Sequence, residues 1–146
     1  MPDGAFPDSI LVAMDFSPSA MRAFDLVLAW RRRETDVTLL HIVDAELARS
    51  VEQLGLSTFD EAMRTLRERA EREFAILFSG RETAGVEKMV VEGIPFVEIV
   101  KVANDLDCGL IVVGSRGTGG ALEKVLFGST AERVLRAATR PVLCVP

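Results

Sequence analysis

The chain is poor in the residues on which most catalytic and metal sites depend. Its 146 residues include one histidine, His41, and two cysteines, and they include no tyrosine. Two cysteines, Cys108 and Cys144, are too few for a disulfide scaffold, and both lie in apolar stretches, where we expect buried thiols in a reducing compartment. A lone histidine with no second histidine or cysteine near it in the sequence forms no metal-binding motif. We therefore expect neither catalytic residues nor metal ligands among these side chains.

Long apolar runs and an excess of basic residues are missing as well. No run approaches the ~18 apolar residues of a membrane span. The first eight residues contain two aspartates and no lysine or arginine, so we expect no signal peptide and a cytoplasmic location. The net charge of −5 offers no general surface for nucleic acid or anionic lipid. With 49% hydrophobic and 27% charged residues, the composition is typical of one folded domain over residues 1–146.

Three common enzyme motifs are absent. The first apolar run is followed by Asp15-Phe16-Ser17 rather than by the G-x-G-x-x-G pattern of dinucleotide-binding folds. No glycine precedes a Lys-Ser or Lys-Thr pair, so there is no P-loop, and no G-x-S-x-G nucleophile elbow is present. The sequence therefore does not point to any of these enzyme classes.

Five short runs rich in valine, isoleucine and leucine predict β-strands. They are mostly continuous rather than alternating, as expected of strands that are covered on both faces. Segments with helical periodicity separate them, and this alternation predicts an α/β fold with a parallel sheet and right-handed crossovers. The predicted strands are Ile10–Met14, Val37–Val43, Val86–Val91, Leu110–Val113 and Val142–Val145.

Four helices are predicted from their starting residues and apolar stripes. In the first, the inward stripe runs through Phe24 and Val27 to Trp30. In the second, Glu61 completes a capping box, and the helix extends to about Phe78. The segment from Asp44 to Ser57 is compatible with either a helical turn or a mobile lid. The predicted helices begin at Ser17-Pro18, Thr58, Pro95 and about Ser129.

A glycine-rich segment follows the fourth predicted strand. Gly114-Ser115-Arg116-Gly117 is followed by Thr118-Gly119-Gly120 and, further on, by Gly128-Ser129-Thr130. Glycines let the backbone approach an anion closely, and successive N–H groups form an anion-binding nest. Ser129 and Thr130 begin the next helix, where its dipole favours negative charge, and Arg116 adds a charged donor. The segment is therefore either a phosphate cradle or a flexible turn.

Asp15 stands at the carboxyl end of the first strand. In open α/β sheets, ligands bind outside the strand carboxyl ends, at the point where the strand order reverses. A carboxylate at that point accepts hydrogen bonds from a ribose or a base amine. The alternative is that Asp15 only caps the helix that follows, although Ser17 is the better capping candidate.

The final strand predicts a homodimer. Val142–Val145 is apolar and should form an outer edge of the sheet, which makes it a template for pairing with a second copy around a two-fold axis. The alternative is an edge that is covered by the chain's own first residues, Met1 to Pro7.

Together these features resemble the universal stress protein family over nearly the whole chain. The resemblance implies an α/β fold, a single-domain open parallel sheet of five strands in the order 3-2-1-4-5 with helices on both faces, of the Rossmann-like universal stress protein type. Family members with the motif G-x2-G-x9-G-[S/T] tend to bind ATP; here ten residues, Thr118 to Phe127, replace the nine. The matching segments are Ile10 to Ser17, Val37 to Val43, Gly114 to Gly117 with Gly128-Ser129, and Arg140 to Pro146.

The resemblance also implies a nucleotide site in a stress-response module. Its cofactor would be ATP with Mg²⁺ as counter-ion, with at most weak hydrolysis, and dimers through the last strand are common in the family. Asp15 and Ile42 would border the adenosine, with Ala13 and Val113 as apolar walls. The residues implied at the phosphates are Gly114, Arg116, Gly117, Gly128, Ser129 and Thr130.

Two alternatives remain at this point. One is a family member that no longer binds nucleotide and acts through dimerisation and protein partners. The other is an adenine-nucleotide enzyme of the related pyrophosphatase-loop type, which expects Ser-Gly-Gly-x-Asp-Ser after the first strand. The stretch Asp15-Phe16-Ser17-Pro18-Ser19 does not supply that pattern.

Overall fold

The apolar runs of the sequence form one parallel sheet. The computed structural model describes residues 6–116 and 128–146. The strands are β1 (Ser9–Ala13), β2 (Asp36–Asp44), β3 (Val86–Gly93), β4 (Leu110–Gly114) and β5 (Val142–Val145). The helices are α1 (Pro18–Trp30), α2 (Ala45–Gln53), α3 (Phe59–Ser79), α4 (Pro95–Asp105) and α5 (Ser129–Ala137).

The strand order is β3-β2-β1-β4-β5, which confirms the predicted fold. In β1, Ile10 lies opposite Val37 of β2 on one side and Leu110 of β4 on the other, and all pairings are parallel. The chain leaves β1 toward β2 and later returns on its other side at β4. The strand order therefore reverses between β1 and β4. At such a point, α/β sheets bind ligands in the crevice outside the carboxyl ends of the strands.

Alternate strand residues build two cores, one on each face of the sheet. On the first face, Val12 and Leu39 pack with Phe24 of α1 and Phe74 of α3. On the second face, the strand residues pack against α4 and α5. The members of the second core include Leu11, Leu40, Ile42, Ile111 and Val113 from the strands with Ile99, Ala103, Ala131 and Val134 from the helices.

The local signals for helix starts are confirmed. The Ser17 hydroxyl accepts a hydrogen bond from the Ala20 N–H at 3.2 Å, and the Thr58 hydroxyl accepts one from the Glu61 N–H at 3.2 Å. The placement of Trp30 in the buried stripe is wrong, because its side chain is 52% exposed. Trp30 is the last residue of α1, and the part of the helix that the core covers ends one turn earlier, at Val27.

The segment after β2, which the sequence left open, is largely helical. The Asp44 carboxylate accepts hydrogen bonds from the N–H groups of Glu46 and Leu47, and α2 begins directly after it. Ala45 and Ala48 are buried against the first half of α3. Capping by Asp44 and burial of two small residues explain why this segment is a helix rather than a lid.

Gly114, the last residue of β4, lies directly against the first turn of α1. An added Cβ at this position would lie 2.4 Å from the Ser19 Oγ and 2.6 Å from the Ala20 nitrogen. Both distances are shorter than real contacts allow, and the nitrogen belongs to backbone that cannot move aside. The contact therefore requires glycine at position 114.

We expect Gly114→Ala to lower the free energy of unfolding by about 1–3 kcal/mol, the usual cost of overpacking, in urea denaturation. Gly80→Ala is the matched control, because a Cβ at Gly80 meets nothing within 4 Å and its φ is −103°. An unfolding midpoint for Gly114→Ala no lower than that of Gly80→Ala would contradict the close approach of β4 to α1.

Candidate functional site

The apolar residues implied by the resemblance share one face of the sheet at its carboxyl edge. Ala13, Ile42 and Val113 come from β1, β2 and β4, and all three lie in or against the core on the α4 and α5 side. Ile42 is 8% exposed and Val113 is 3% exposed, whereas Ala13 is half-buried. These side chains therefore form an apolar floor whose accessible part is centred on Ala13.

Asp15 lies at the rim of this floor, in the turn between β1 and α1. Its Oδ1 accepts a hydrogen bond from the Ser17 N–H at 2.9 Å, and its side chain is exposed. Ser17 is the residue that caps α1, so capping does not account for Asp15. The following residue, Phe16, has a φ of +63°, a backbone angle that few residues other than glycine adopt at low cost. The turn thus presents a carboxylate to solvent from a tightly constrained backbone.

His41 supports this turn from beneath. Its Nδ1 lies 2.7 Å from the Met14 carbonyl oxygen, a contact in which Nδ1 donates. The ring packs beside Phe16 and Phe74, with centroids 5.1 and 6.1 Å away. Burial lowers the pKa of His41 from its ordinary 6.5, although the Met14 carbonyl and the Asp15 charge act in the opposite direction. The imidazole is therefore a neutral structural contact of the β1–α1 turn.

The glycine-rich segment begins at a backbone that is fixed by α1. The Ser19 hydroxyl donates a hydrogen bond to the Arg116 carbonyl oxygen at 2.6 Å and accepts one from the Arg116 N–H at 3.2 Å. The Ser115 N–H donates to the Val145 carbonyl oxygen at 2.7 Å. The Arg116 side chain itself is exposed. Sequence reasoning missed Ser19, whose only local signal is a second serine close behind the capping Ser17.

The start of α5 is tied to the same place. The Gly128 N–H donates to the Ser115 carbonyl oxygen, which brings the N-terminus of α5 next to the end of β4. Gly128 is the N-cap and supplies no side-chain acceptor, while Ser129 is exposed and Thr130 is half-buried. The first N–H groups of a helix have no intrahelical partner, and they favour anions. Gly117 and residues 118–127 lie outside the described residues.

Charge and composition at this edge suit an anionic, partly apolar ligand. Arg116 and the N-terminus of α5 lie at the same edge of the sheet as the apolar floor and the exposed carboxylate of Asp15, within a chain whose net charge is −5. Within residues 6–116 and 128–146, no group of three or more His, Cys, Asp or Glu side chains is arranged to hold a metal ion. Over the same described part of the chain, no helix is both long and apolar enough to cross a membrane.

Known proteins share both this sequence pattern and this fold. Universal stress protein MJ0577 of Methanocaldococcus jannaschii is 32% identical, in an alignment that covers 93% of this chain and 93% of the relative. A solved structure of protein MJ0577 superposes with a TM-score of 0.79, at 33% identity and over 94% of each chain.

Two further solved structures share the fold at lower identity. A universal stress protein from Archaeoglobus fulgidus in complex with dAMP is 24% identical, with a TM-score of 0.62 over 94% of this chain and 97% of its own. A universal stress protein in complex with cAMP is 21% identical, with a TM-score of 0.58 over 97% and 98%.

The family model agrees with these likenesses. The model of the universal stress protein family matches residues 7–146, almost the whole chain. With the strand order and the relatives at hand, this match assigns the protein: the chain belongs to the universal stress protein family.

Proposed function

We propose that residues 1–146 form one nucleotide-binding domain that takes ATP with Mg²⁺ at the carboxyl ends of β1 and β4. The protein would act as a regulatory or signalling module of the stress response, in the cytoplasm. The observation that carries the proposal is the hydrogen bond from Gly128 to Ser115, because it sets the N-terminus of α5 beside the crevice of the sheet. The dAMP and cAMP complexes of related folds support an adenine nucleotide.

The adenosine would lie over the apolar floor. Ala13 offers accessible apolar surface between the more deeply buried Ile42 and Val113. One carboxylate oxygen of Asp15 is engaged by the Ser17 N–H, which orients the group while leaving it exposed. A carboxylate held in this way accepts hydrogen bonds from ribose hydroxyls, and a phosphate placed there would be repelled.

The phosphates would lie toward Arg116 and the start of α5. Arg116 supplies a charged donor, and the N–H groups of Ser129 and Thr130 lie at the positive end of the helix dipole. Gly114 is required by the contact with α1, so its own role at the phosphates is indirect. Mg²⁺ would neutralise phosphate charge, and it commonly keeps several water ligands beside phosphate oxygens.

The glycine loop is one residue longer than the ATP-binding motif. Its two anchors, Ser115-Arg116 and Gly128, are held by Ser19 and by each other. A loop whose ends are fixed tolerates an added residue at little entropic cost. We therefore favour nucleotide binding over a family member that has lost it and acts only through dimerisation and protein partners.

Binding rather than catalysis fits the described residues. His41 is the one histidine of the sequence. Its Nδ1 is engaged by the Met14 carbonyl oxygen, and its ring packs against Phe16 and Phe74. A general base must reach the proton that it removes, and its pKa must suit the task. We therefore assign no catalytic residue and, at most, weak hydrolysis.

The two edges of the sheet support a homodimer through β5. The β3 edge carries Glu87, Lys88 and Glu92, and the latter two pair with Glu71 and Arg67 of α3. Such charges discourage pairing of an edge strand with another chain. In β5, all four residues are uncharged and half-buried. The β5 edge is therefore the better template for a second copy.

Phe6 and Pro7, the first described residues, do not cover the β5 edge. Phe6 lies under the Arg32 guanidinium, with 5.5 Å from its carbon to the ring centroid. An added Cβ at Gly109 would lie 3.3 Å from the Pro7 Cβ. Both contacts are at the amino edge of the sheet rather than along β5, and Met1 to Ala5 lie outside the described residues.

Calorimetry with ATP and Mg²⁺, at about 100 μM protein, should show binding of micromolar to millimolar affinity. Arg116→Ala should weaken it about tenfold to a hundredfold, since hydrogen bonds to charged groups contribute roughly 1.5–3 kcal/mol. Arg33→Ala is the control, because it removes the same charge from an exposed position at the amino edge of the sheet. An absence of binding heat in the unaltered protein would favour the family member that has lost nucleotide.

The half-buried His41 predicts a loss of stability in mild acid. Its folded pKa lies below the ordinary 6.5, so the folded state binds fewer protons than the unfolded chain. The contribution of His41 to the free energy of unfolding is therefore complete above about pH 6.5. It is lost as the pH falls from there through the pKa of His41 in the folded state. Denaturation at about pH 7.5 and at about pH 5.5 measures how far the free energy of unfolding falls in mild acid. The fall should be smaller for His41→Phe than for the unaltered protein, because phenylalanine keeps the ring packing but does not titrate. Equal decreases would show that His41 does not titrate in this way.

Light scattering should give twice the single-chain mass. The carbonyl oxygens of Pro141 and Val145 accept hydrogen bonds from residues of the neighbouring β4 segment. Because the backbone groups of successive strand residues point to opposite sides, the N–H groups of Val142 and Cys144 point away from β4. Cys144→Pro removes one outward donor and should give a folded monomer. Cys144→Ser keeps that donor and should remain dimeric. A single-chain mass for the unaltered protein, unchanged on concentration, would contradict β5 pairing.

A further inference from the structure

We infer that Ser19 is a positioning residue for phosphate recognition, acting through the backbone of Arg116. The inference rests on the proposed function and extends it to a residue outside the loop. Ser19 lies in the first turn of α1, and it is only 2% exposed. A buried hydroxyl needs hydrogen-bond partners, and Ser19 finds them in a residue 97 positions later in the chain.

One hydroxyl satisfies both backbone groups of Arg116. The Ser19 Oγ donates to the Arg116 carbonyl oxygen at 2.6 Å and accepts from the Arg116 N–H at 3.2 Å. A serine hydroxyl has one proton to donate and two lone pairs, so both contacts can form at once. The pair of bonds fixes the position and the orientation of the Arg116 peptide groups.

This clamp depends on the missing side chain of Gly114. The Ser19 Oγ occupies the space that a Cβ of Gly114 would take, at 2.4 Å from the ideal Cβ position. The end of β4 can therefore lie directly on α1, within reach of the hydroxyl. Ser19 and Gly114 form a complementary pair at the point where the chain leaves the sheet.

The clamp fixes the backbone of Arg116 relative to the N-terminus of α5, the two positively polarised groups of the candidate phosphate site. Arg116 is clamped by Ser19, and the neighbouring Ser115 accepts the N–H of Gly128 at the start of α5. The exposed Arg116 side chain thus leaves a backbone that is fixed relative to the α5 N-terminus. Because the two groups would contact the same phosphates, loosening Arg116 should reduce affinity for ATP more than affinity for adenosine.

Ser17 offers a matched control within the same turn. It is also buried, at 1% exposure, and its hydroxyl accepts from the Ala20 N–H at 3.2 Å. Its bond lies inside α1 and does not reach the glycine-rich segment. Ser17→Ala therefore removes a structural hydroxyl of the same kind without releasing Arg116.

The experiment compares Ser19→Ala and Ser17→Ala in the full chain, at temperatures where both are folded. Both variants should melt earlier than the unaltered protein. Calorimetry with ATP and Mg²⁺ should show affinity about tenfold weaker for Ser19→Ala, the effect expected when a displaced Arg116 loses about one hydrogen bond to the phosphates. The affinity of Ser17→Ala should be nearly unchanged. Adenosine should bind both variants alike. In hydrogen exchange without nucleotide, the Arg116 amide should be protected except in Ser19→Ala.

The outcomes separate the two proposals. Equal ATP affinities for the two variants would overturn the positioning role and leave the proposed function intact. Fast exchange of the Arg116 amide in the unaltered protein would overturn the clamp, whatever the affinities. Failure of the unaltered protein to bind ATP would overturn the proposed function, and the positioning role with it.

Discussion

The close approach of β4 to α1 is the contact on which the arrangement of the site depends. In a parallel sheet, the helix after β1 must pack back across the strands, and here its first turn lies on the end of β4. Gly114 allows the contact because it has no Cβ, and Ser19 uses the space to bind Arg116. A packing requirement of the fold and the geometry of the candidate site are therefore one and the same constraint.

Two further constraints act on the other side of the crevice. His41 bonds the Met14 carbonyl and packs against Phe16, whose positive φ would otherwise be costly. The turn that carries Asp15 is thus held from below by an aromatic cluster of the core. The two sides of the crevice, at Asp15 and at Arg116, are fixed by different contacts. One side carries a negative carboxylate and the other a positive guanidinium. A ligand with a polar sugar at one end and phosphates at the other matches that division.

The electrostatics of the site are local rather than global. The chain carries a net charge of −5, yet the N-terminus of α5 and the residue Arg116 both lie at the carboxyl edge of the sheet. Backbone N–H groups attract an anion at short range irrespective of net charge, because screening weakens distant charges in physiological salt. An acidic protein can therefore hold a polyanionic ligand at one edge.

The sequence by itself determined the elements that local chemistry controls. Apolar runs gave the five strands, and Ser17, Thr58 and Pro95 marked helix starts, because capping and the fixed φ of proline act within a few residues. The strand order and the apolar walls Ala13, Ile42 and Val113 came from the resemblance, whereas Asp15 and the glycine-rich segment were already indicated by their positions after the first and fourth strands. The order is confirmed, and the site remains a proposal.

Only the tertiary structure decided which contacts join distant segments. It turned Asp44 to Gln53 into a capped helix, exposed Trp30, and paired Ser19 with Arg116 across 97 positions. Sequence patterns record which face of an element is apolar, but they do not record which element covers it or how closely two backbones approach. At Gly114, that approach is decided by the distance between a strand end and a helix start, a quantity that exists only in the folded chain.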